Sequence, residues 1–260
     1  ESLINLENVR FVRNARVILD DVSLRFEDGE HWVILGRNGS GKTTLLEMMN
    51  GYLFPTSGKV SVLGHVYGQV DVREVRKEIG YMSQSLIEKF VLRDPVWEIV
   101  ASGKMAYLRV YYELPQETVD QADAILEQLG ILHLRDQPLG TLSQGERKKV
   151  MLARLLMQDP KLIIMDEPCS GLDLYEREKF LQDIQRLEDR DLQLVYVTHH
   201  SEEIIPIFTH AALIHEGKLL AAGPKEDVLT SEWLSKLYDL EVSVDWDRGR
   251  PWVKALSSSS

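Results

Sequence analysis

The sequence contains little cysteine and no long apolar run. Cys169 is its only cysteine, so no disulfide can form within the chain, as expected of a protein from a reducing compartment such as the cytoplasm. Residues 1–10 lack the basic and apolar regions of a signal peptide, and no uninterrupted apolar stretch approaches the length of a membrane span. These absences predict a cytoplasmic chain that does not itself cross a membrane.

The sequence also lacks an excess of basic residues. Thirty Lys and Arg against 41 Asp and Glu give a net charge of −11, which would repel a phosphodiester backbone, and no basic stripe offsets it. We therefore expect no nucleic-acid partner. The 44% hydrophobic and 27% charged composition is that of an ordinary globular protein, and 260 residues allow one large domain or two small ones.

Short apolar runs bounded by turn residues predict buried strands at 33–35, 162–165, 194–197 and 211–214. A helical pattern at 174–189 separates the second run from the third, as in a β-α-β unit, so we expect an α/β fold with a parallel sheet. The stretches 3–26 and 59–82 show short strands with Gly and Asp turns and no intervening helix. They predict a small N-terminal antiparallel sheet.

The pattern divides the chain into four segments. Residues 1–87 contain the N-terminal β subdomain and the first part of the core, and 88–158 form an inserted helical subdomain. In this insert, Asp94 and Pro95 predict a helix cap and first turn, and a second helix is expected between Pro115 and Gly130. Residues 159–223 form the second part of the core. Residues 224–260 form an appendage with a helix at 224–238 and a hairpin around 247–250.

A glycine-rich motif follows the first buried strand. Residues 36–43, Gly-Arg-Asn-Gly-Ser-Gly-Lys-Thr, fit the pattern G-x-x-x-x-G-K-[ST] between a strand and a helix. Its glycines let backbone N–H groups converge on phosphate oxygens at a helix N-terminus. Lys42 would bind the β- and γ-phosphates, and the Thr43 hydroxyl would bind Mg²⁺. The motif predicts nucleotide binding.

Two adjacent carboxylates, Asp166 and Glu167, follow the second buried strand. This places them at the carboxyl edge of a parallel sheet, where α/β folds bind ligands. Asp166 can hold Mg²⁺ directly or through water, and Glu167 can polarise a water for attack on a γ-phosphate. Such a pair alone is more often a helix cap, but beside a phosphate loop the catalytic interpretation is favoured.

Ser143 and Glu146 form an S-x-x-E capping box at the start of a predicted helix. In its simplest interpretation the box only begins the helix. The same geometry is expected to leave N–H groups and a serine hydroxyl exposed at the positive helix end, where they could bind a γ-phosphate from another subunit.

With these motifs in order, residues 3–240 resemble the nucleotide-binding subunit of an ABC ATPase, a P-loop NTPase with a RecA-like parallel sheet. Four further matches carry the resemblance: the signature Leu-Ser-Gln-Gly-Glu at 142–146, Gln84 in the Q-loop position, a D-loop at 170–173, and His199 as the switch histidine. The resemblance implies ATP hydrolysis with Mg²⁺, with Glu167 and His199 as catalytic residues.

The resemblance also assigns binding roles. Around the phosphates it implies a shell made of Arg37, Asn38, Gly39, Ser40, Gly41, Lys42, Thr43 and Thr44. Magnesium ligands would come from Thr43, Gln84 and Asp166. Ser143, Gly145 and Asp173 would bind the nucleotide of a second protomer.

The sequence departs from the family pattern at two places. The signature has Gln144 and Glu146 where the commonest form has Gly and Gln, changes that we interpret as tolerated variants. The aromatic residue that stacks on adenine in the family falls here on Arg13, whose guanidinium plane can also stack on a base.

The chain has one phosphate loop and no membrane span, which implies that it acts as one of two ATPase subunits in an assembly. The resemblance implies a head-to-tail homodimer that drives a separate transmembrane permease from the inner face of the cell membrane. The alternative is a soluble ABC ATPase without a transporter, such as one serving iron-sulfur cluster assembly.

Overall fold

The computed structural model describes residues 2–105 and 113–256. Its strands are β1 (Ser2–Arg13), β2 (Arg16–Glu27), β3 (Trp32–Gly36), β4 (Ser57–Val62), β5 (His65–Val66), β6 (Ile79–Met82), β7 (Leu162–Asp166), β8 (Gln193–Thr198), β9 (His210–His215), β10 (Lys218–Pro224), β11 (Val242–Asp247) and β12 (Arg250–Ala255). Its α-helices are α1 (Lys42–Met49), α2 (Val72–Arg76), α3 (Gln84–Ile87), α4 (Val96–Ser102), α5 (Gln116–Gln128), α6 (Gln144–Met157), α7 (Leu174–Gln185), α8 (Lys225–Val228) and α9 (Ser231–Tyr238).

The described residues form two compact units. The first contains the chain up to Arg76 together with the chain from Gln193 onward, and the second contains Lys77–Leu192. The four-segment division expected from the sequence stays a prediction. Parts of three of its segments, namely residue 1, 106–112 and 257–260, lie outside the described residues.

The first unit contains the expected antiparallel sheet, with strand order β2-β1-β4-β5. Alternate residues of its strands are buried, and Ile4 lies opposite Phe26 as Leu6 lies opposite Leu24. This alternation packs one face of the sheet against a core. The expectation that 59–82 contains no helix was wrong, since α2 lies within this stretch. Asp71 precedes this helix, and its carboxylate accepts a hydrogen bond from the Arg73 N–H at 3.0 Å.

The same unit holds a second sheet in which β10, β9, β3 and β8 are neighbours in that order. The β9–β3 and β3–β8 pairs are parallel, as predicted, and every residue of β3 is buried. Parallel strands covered on both faces consist of continuous apolar residues, which explains the runs seen in the sequence. The carboxyl ends of β3 and β8 therefore lie at one edge of this sheet.

In the second unit, β6 and β7 form a parallel pair in which Met82 lies beside Met165. Helices α4, α5 and α6 pack together, and α6 is buried on all sides from Val150 to Met157. The predicted Asp94 cap was wrong by one residue. The cap of α4 is Pro95, which pairs with Pro138, while the Asp94 carbonyl accepts a bond from the Leu139 N–H at 3.0 Å.

The C-terminal region of the first unit contains two short helices and a hairpin. The single helix expected at 224–238 is broken, because Thr230 caps a new helix, α9, by accepting from the Trp233 N–H at 3.2 Å. The predicted hairpin is confirmed as β11 and β12. Within the described ranges, no helix combines the length and hydropathy that a membrane span requires.

Candidate active site

The phosphate loop joins β3 to α1 within the first unit. Gly41 caps α1 with φ of +101°, and a Cβ there would lie 2.9 Å from Leu19 Cδ2 and 3.0 Å from the Ile18 carbonyl oxygen. Only glycine satisfies both the backbone angle and the space. Glycine has no side chain to cap the helix, so the N-cap residue leaves the first-turn N–H groups available to a ligand.

Lys42 and Ser40 are buried in this loop, at 4% and 5% exposure. The Lys42 ammonium donates to the Arg37 carbonyl at 3.3 Å, across the loop. The Ser40 hydroxyl oxygen is buried and has no hydrogen-bond partner among the described residues. A buried hydroxyl without a partner is costly, and a phosphate oxygen would satisfy it. The loop therefore fits an anionic ligand such as a nucleotide phosphate.

The remaining loop residues lie at its surface. Arg37, Asn38, Gly39 and Thr43 are exposed, and Thr44 is half-buried in the first turn of α1. Arg37 forms an ion pair with Asp239, with 3.3 Å between Nη1 and Oδ2. The exposed Thr43 hydroxyl offers an oxygen of the kind that Mg²⁺ prefers.

His199 lies at the same edge of the sheet as the phosphate loop. Thr198, the last residue of β8, lies beside Leu35 of β3, so His199 follows directly at the end of the neighbouring strand. The half-buried His199 ring packs on His200, with 3.8 Å between ring centroids. Backbone pairing alone thus brings the predicted switch histidine and the phosphate loop to one sheet edge.

A buried carboxylate, Glu203, lies behind the His199 segment. It accepts hydrogen bonds from the Tyr196 hydroxyl at 2.5 Å and from the Thr198 hydroxyl at 3.2 Å, and Thr198 Oγ1 accepts from the His200 N–H at 3.0 Å. All three side chains are at most 2% exposed. The network fixes the chain before and after His199. This network was not predicted from the sequence, although a tyrosine within the apolar run 194–197 was an available signal.

Arg13 ends β1 in the first unit and is exposed. Its guanidinium carbon lies 5.3 Å from the centroid of the buried Phe11 ring. The cation therefore lies over the aromatic ring. Stacking of Arg13 on a base stays a prediction.

In the second unit, the two acidic residues and Gln84 leave adjacent parallel strands. Asp166 ends β7 and Gln84 begins α3 two residues after β6, so both lie at the carboxyl edge of this strand pair. Gln84 is exposed, and Asp166 and Glu167 are half-buried. Glu167 adopts φ of +48°, a left-handed conformation that is unusual for glutamate. Carboxylate and amide oxygens at one edge suit Mg²⁺.

Ser143 caps α6 with both halves of the predicted capping box. The Glu146 N–H donates to Ser143 Oγ at 3.1 Å, and the Ser143 N–H donates to the Glu146 carboxylate at 2.9 Å. The expectation of exposed N–H groups was wrong for Gly145, which is buried and donates to Glu176 Oε1 at 3.4 Å. Glu176 approaches because Asp173 caps α7 and accepts from its N–H at 2.8 Å.

Comparison with known proteins places these motifs in a recognised context. Residues 19–170 match the family model described as ABC transporter. The chain is 40% identical over 254 residues, 96% of each chain, to a Bacillus subtilis protein described as an uncharacterized ABC transporter ATP-binding protein. It is 33% identical to an energy-coupling factor transporter ATP-binding protein of Ligilactobacillus salivarius, covering 84% of this chain and 76% of that one.

Solved structures give the same fold. A putative metal-chelate type ABC transporter superposes with a TM-score of 0.79 at 24% identity, covering 100% of this chain and 99% of that one. A second match, cbiO1 from Clostridium perfringens, is described as part of the ABC transporter complex cbiONQ. It has a TM-score of 0.78 at 24% identity and covers 91% of this chain and 94% of that one. At these identities the likeness supports the fold alone.

Proposed function

The chain belongs to the ABC transporter ATPase family, and on that premise we propose that it hydrolyses ATP as one half of a head-to-tail dimer that drives a separate membrane permease. The observation that carries the proposal is the phosphate loop. It has a glycine-capped helix N-terminus beside a buried lysine and a buried hydroxyl that has no hydrogen-bond partner within the described part of the chain. That arrangement suits the phosphates of a nucleotide.

Each loop residue has a role in binding ATP. The N–H groups of 38–44 cradle the phosphates, and Lys42 turns from the Arg37 carbonyl to the β- and γ-phosphates. Arg13 stacks on the base. Thr43, Asp166 and Gln84 would offer oxygen ligands to Mg²⁺, which would supply positive charge to the phosphates.

Hydrolysis requires a water in line with the γ-phosphate. Glu167 accepts a proton from this water as its oxygen bonds to the γ-phosphorus, and the bond from phosphorus to the β–γ bridging oxygen breaks to give ADP and phosphate. His199 donates a hydrogen bond to the γ-phosphate. The network of Tyr196, Thr198 and Glu203 holds the His199 backbone for this contact.

A second copy of the chain completes each site. Ser143 caps α6 while accepting from an N–H, so its hydroxyl proton can point outward to a phosphate carried by another protomer. Gly145 and Asp173 lie near the same helix ends. The relatives favour transport over the soluble assembly role that the sequence left open. We place the dimer on a permease at the inner face of the cell membrane.

Glu167→Gln tests the catalytic part of this function. It should keep ATP affinity, lose most hydrolysis, and trap an ATP-bound dimer visible by size-exclusion chromatography with light scattering. Glu188→Gln, a change at an exposed carboxylate of the same unit, is the matched control and should behave as wild type. A Glu167→Gln protein that turns over ATP at the wild-type rate would remove the assignment.

The permease is tested separately. We expect a multispanning membrane protein to co-purify with the tagged chain when membranes of its native cells are extracted in mild detergent. Recovery of the active chain solely from the soluble fraction, with no membrane partner, would contradict the transport role.

A further inference from the structure

A buried lysine lies on the helix that begins at Ser143. Lys148 is five residues into this stretch and is 2% exposed, although lysine is rarely buried unless its charge is satisfied. Its neighbour Lys149 lies closer to the surface and pairs with Asp183 at 3.1 Å. The two lysines of α6 therefore have different partners and different environments.

The Lys148 ammonium binds the backbone that follows Glu167. It donates to the Pro168 carbonyl at 2.5 Å and to the Ser170 carbonyl at 2.8 Å. The Ser170 N–H in turn donates to the Glu167 carbonyl at 3.1 Å, which closes the turn. Hydrogen bonds from a charged donor are short and strong, so Lys148 of α6 holds the backbone of this turn.

The turn needs such support because Glu167 adopts φ of +48°. A left-handed conformation costs a glutamate free energy and persists only where the surrounding structure imposes it. The cation of Lys148 binds two of the three carbonyls that follow Glu167, and so opposes relaxation of this backbone.

We propose that Lys148 is a positioning residue for ATP hydrolysis, holding the 168–170 backbone so that the Glu167 carboxylate is directed at the attacking water. This inference rests on the proposed role of Glu167. Ser143, at the start of the same helix, is proposed to bind the partner protomer's nucleotide. Through α6, Lys148 therefore connects that helix end to Glu167, which acts on the nucleotide bound by the chain's own phosphate loop.

Kinetics provide the first test. Lys148→Met keeps the aliphatic stem but removes the ammonium and its two hydrogen bonds. We therefore expect kcat to fall at least about tenfold while the Kd for ATP changes less than about twofold. Lys149→Met, which loses the ion pair from α6 to Asp183 of α7, should keep kcat within about twofold of wild type. Lys148→Arg restores a cationic donor and should recover part of the lost kcat.

Cys169 provides a second readout that does not depend on hydrolysis. It is the only cysteine of the chain, is buried, and lies between the two carbonyls that Lys148 binds. In the full chain, its rate of reaction with a thiol reagent should rise about tenfold in Lys148→Met, stay unchanged in Lys149→Met, and fall back in Lys148→Arg. If Lys148→Met does not fold, Lys148→Gln, with one neutral amide donor, should show an intermediate rate.

A folded Lys148→Met protein with wild-type labelling would overturn the inference, as would one with wild-type kcat. Failure of the proposed function is separate, because it would appear as wild-type turnover in Glu167→Gln while the labelling still measures the restraint on the turn.

Discussion

Leu35 and Thr198 are partners in parallel strands, each one residue before a functional segment: the phosphate loop after Leu35 and His199 after Thr198. The strand ladder sets the separation of these segments. A change that disturbs the backbone after β8 should therefore affect turnover without altering the phosphate loop.

The Glu203 network offers such a change. Glu203→Gln replaces one acceptor oxygen with a donor facing a hydroxyl, so it should destabilise the protein by about 1–2 kcal/mol and lower kcat several-fold while ATP still binds. Thermal unfolding, ATP titration and steady-state kinetics measure the three effects. Glu216→Gln, at an exposed turn, is the control. Wild-type kcat in a measurably destabilised Glu203→Gln protein would show that the network serves stability alone.

Mixed dimers test whether each site is shared. Lys42→Ala and Ser143→Arg homodimers should both be nearly inactive, since each of their sites lacks one essential half. In an equal mixture about half the dimers are mixed and contain one intact site, so up to about a quarter of wild-type activity should return.

The control mixes wild type with the double mutant, whose mixed dimers contain only damaged sites. The wild-type homodimers, about a quarter of the dimers in this control, should supply all of its activity. A mixture of the two single variants that is no more active than the separate Lys42→Ala and Ser143→Arg homodimers, at concentrations where ATP-bound dimers form, would leave the shared-site arrangement without support.

Arg13 should discriminate poorly between purines, because it stacks without an aromatic ring. We expect GTP to support hydrolysis with kcat/KM within about tenfold of ATP, a difference of about 1.4 kcal/mol. Arg13→Tyr should increase affinity for both nucleotides by improving stacking. A preference for ATP of a thousandfold in the wild type would show that another group reads the base.

Asp183 predicts a pH dependence of stability. Its carboxyl is 1% exposed, and burial raises its pKa above the ordinary 3.8, an effect that Lys149 and Arg186 only partly offset. The folded state thus holds this proton to higher pH than the unfolded state. The stability contributed by the protonated carboxyl is complete below pH 3.8 and is lost as pH rises through the folded-state pKa.

Asp183→Asn cannot titrate at this position. The unfolding temperature of the wild type, relative to that of Asp183→Asn, should therefore fall as pH rises from 3.8 through the raised pKa. Asp189→Asn, at an exposed carboxylate nearby, controls for the loss of one negative charge. A constant difference across this range would contradict the shift.

The sequence was enough to predict the phosphate loop, the buried strands and the capping box, because each depends on residues within a few positions of one another. Lys148 and Glu176 were not predictable in this way. Their partners lie 20 to 31 residues away, and only the packing of α6 against neighbouring backbone brings them together. The break between α8 and α9 depends on a local signal, the threonine cap at Thr230. The apolar pattern of 224–238 had instead indicated one continuous helix.

The left-handed backbone at Glu167 lowers the stability of the folded state at a residue that the proposed hydrolysis requires. Asparagine and glycine adopt this conformation at lower cost, so a library selected only for heat resistance should enrich them at position 167. The selected proteins would outlast the parent and lose the carboxylate that hydrolysis is proposed to require. A more heat-resistant form of this ATPase therefore has to keep Glu167 despite its unfavourable backbone conformation.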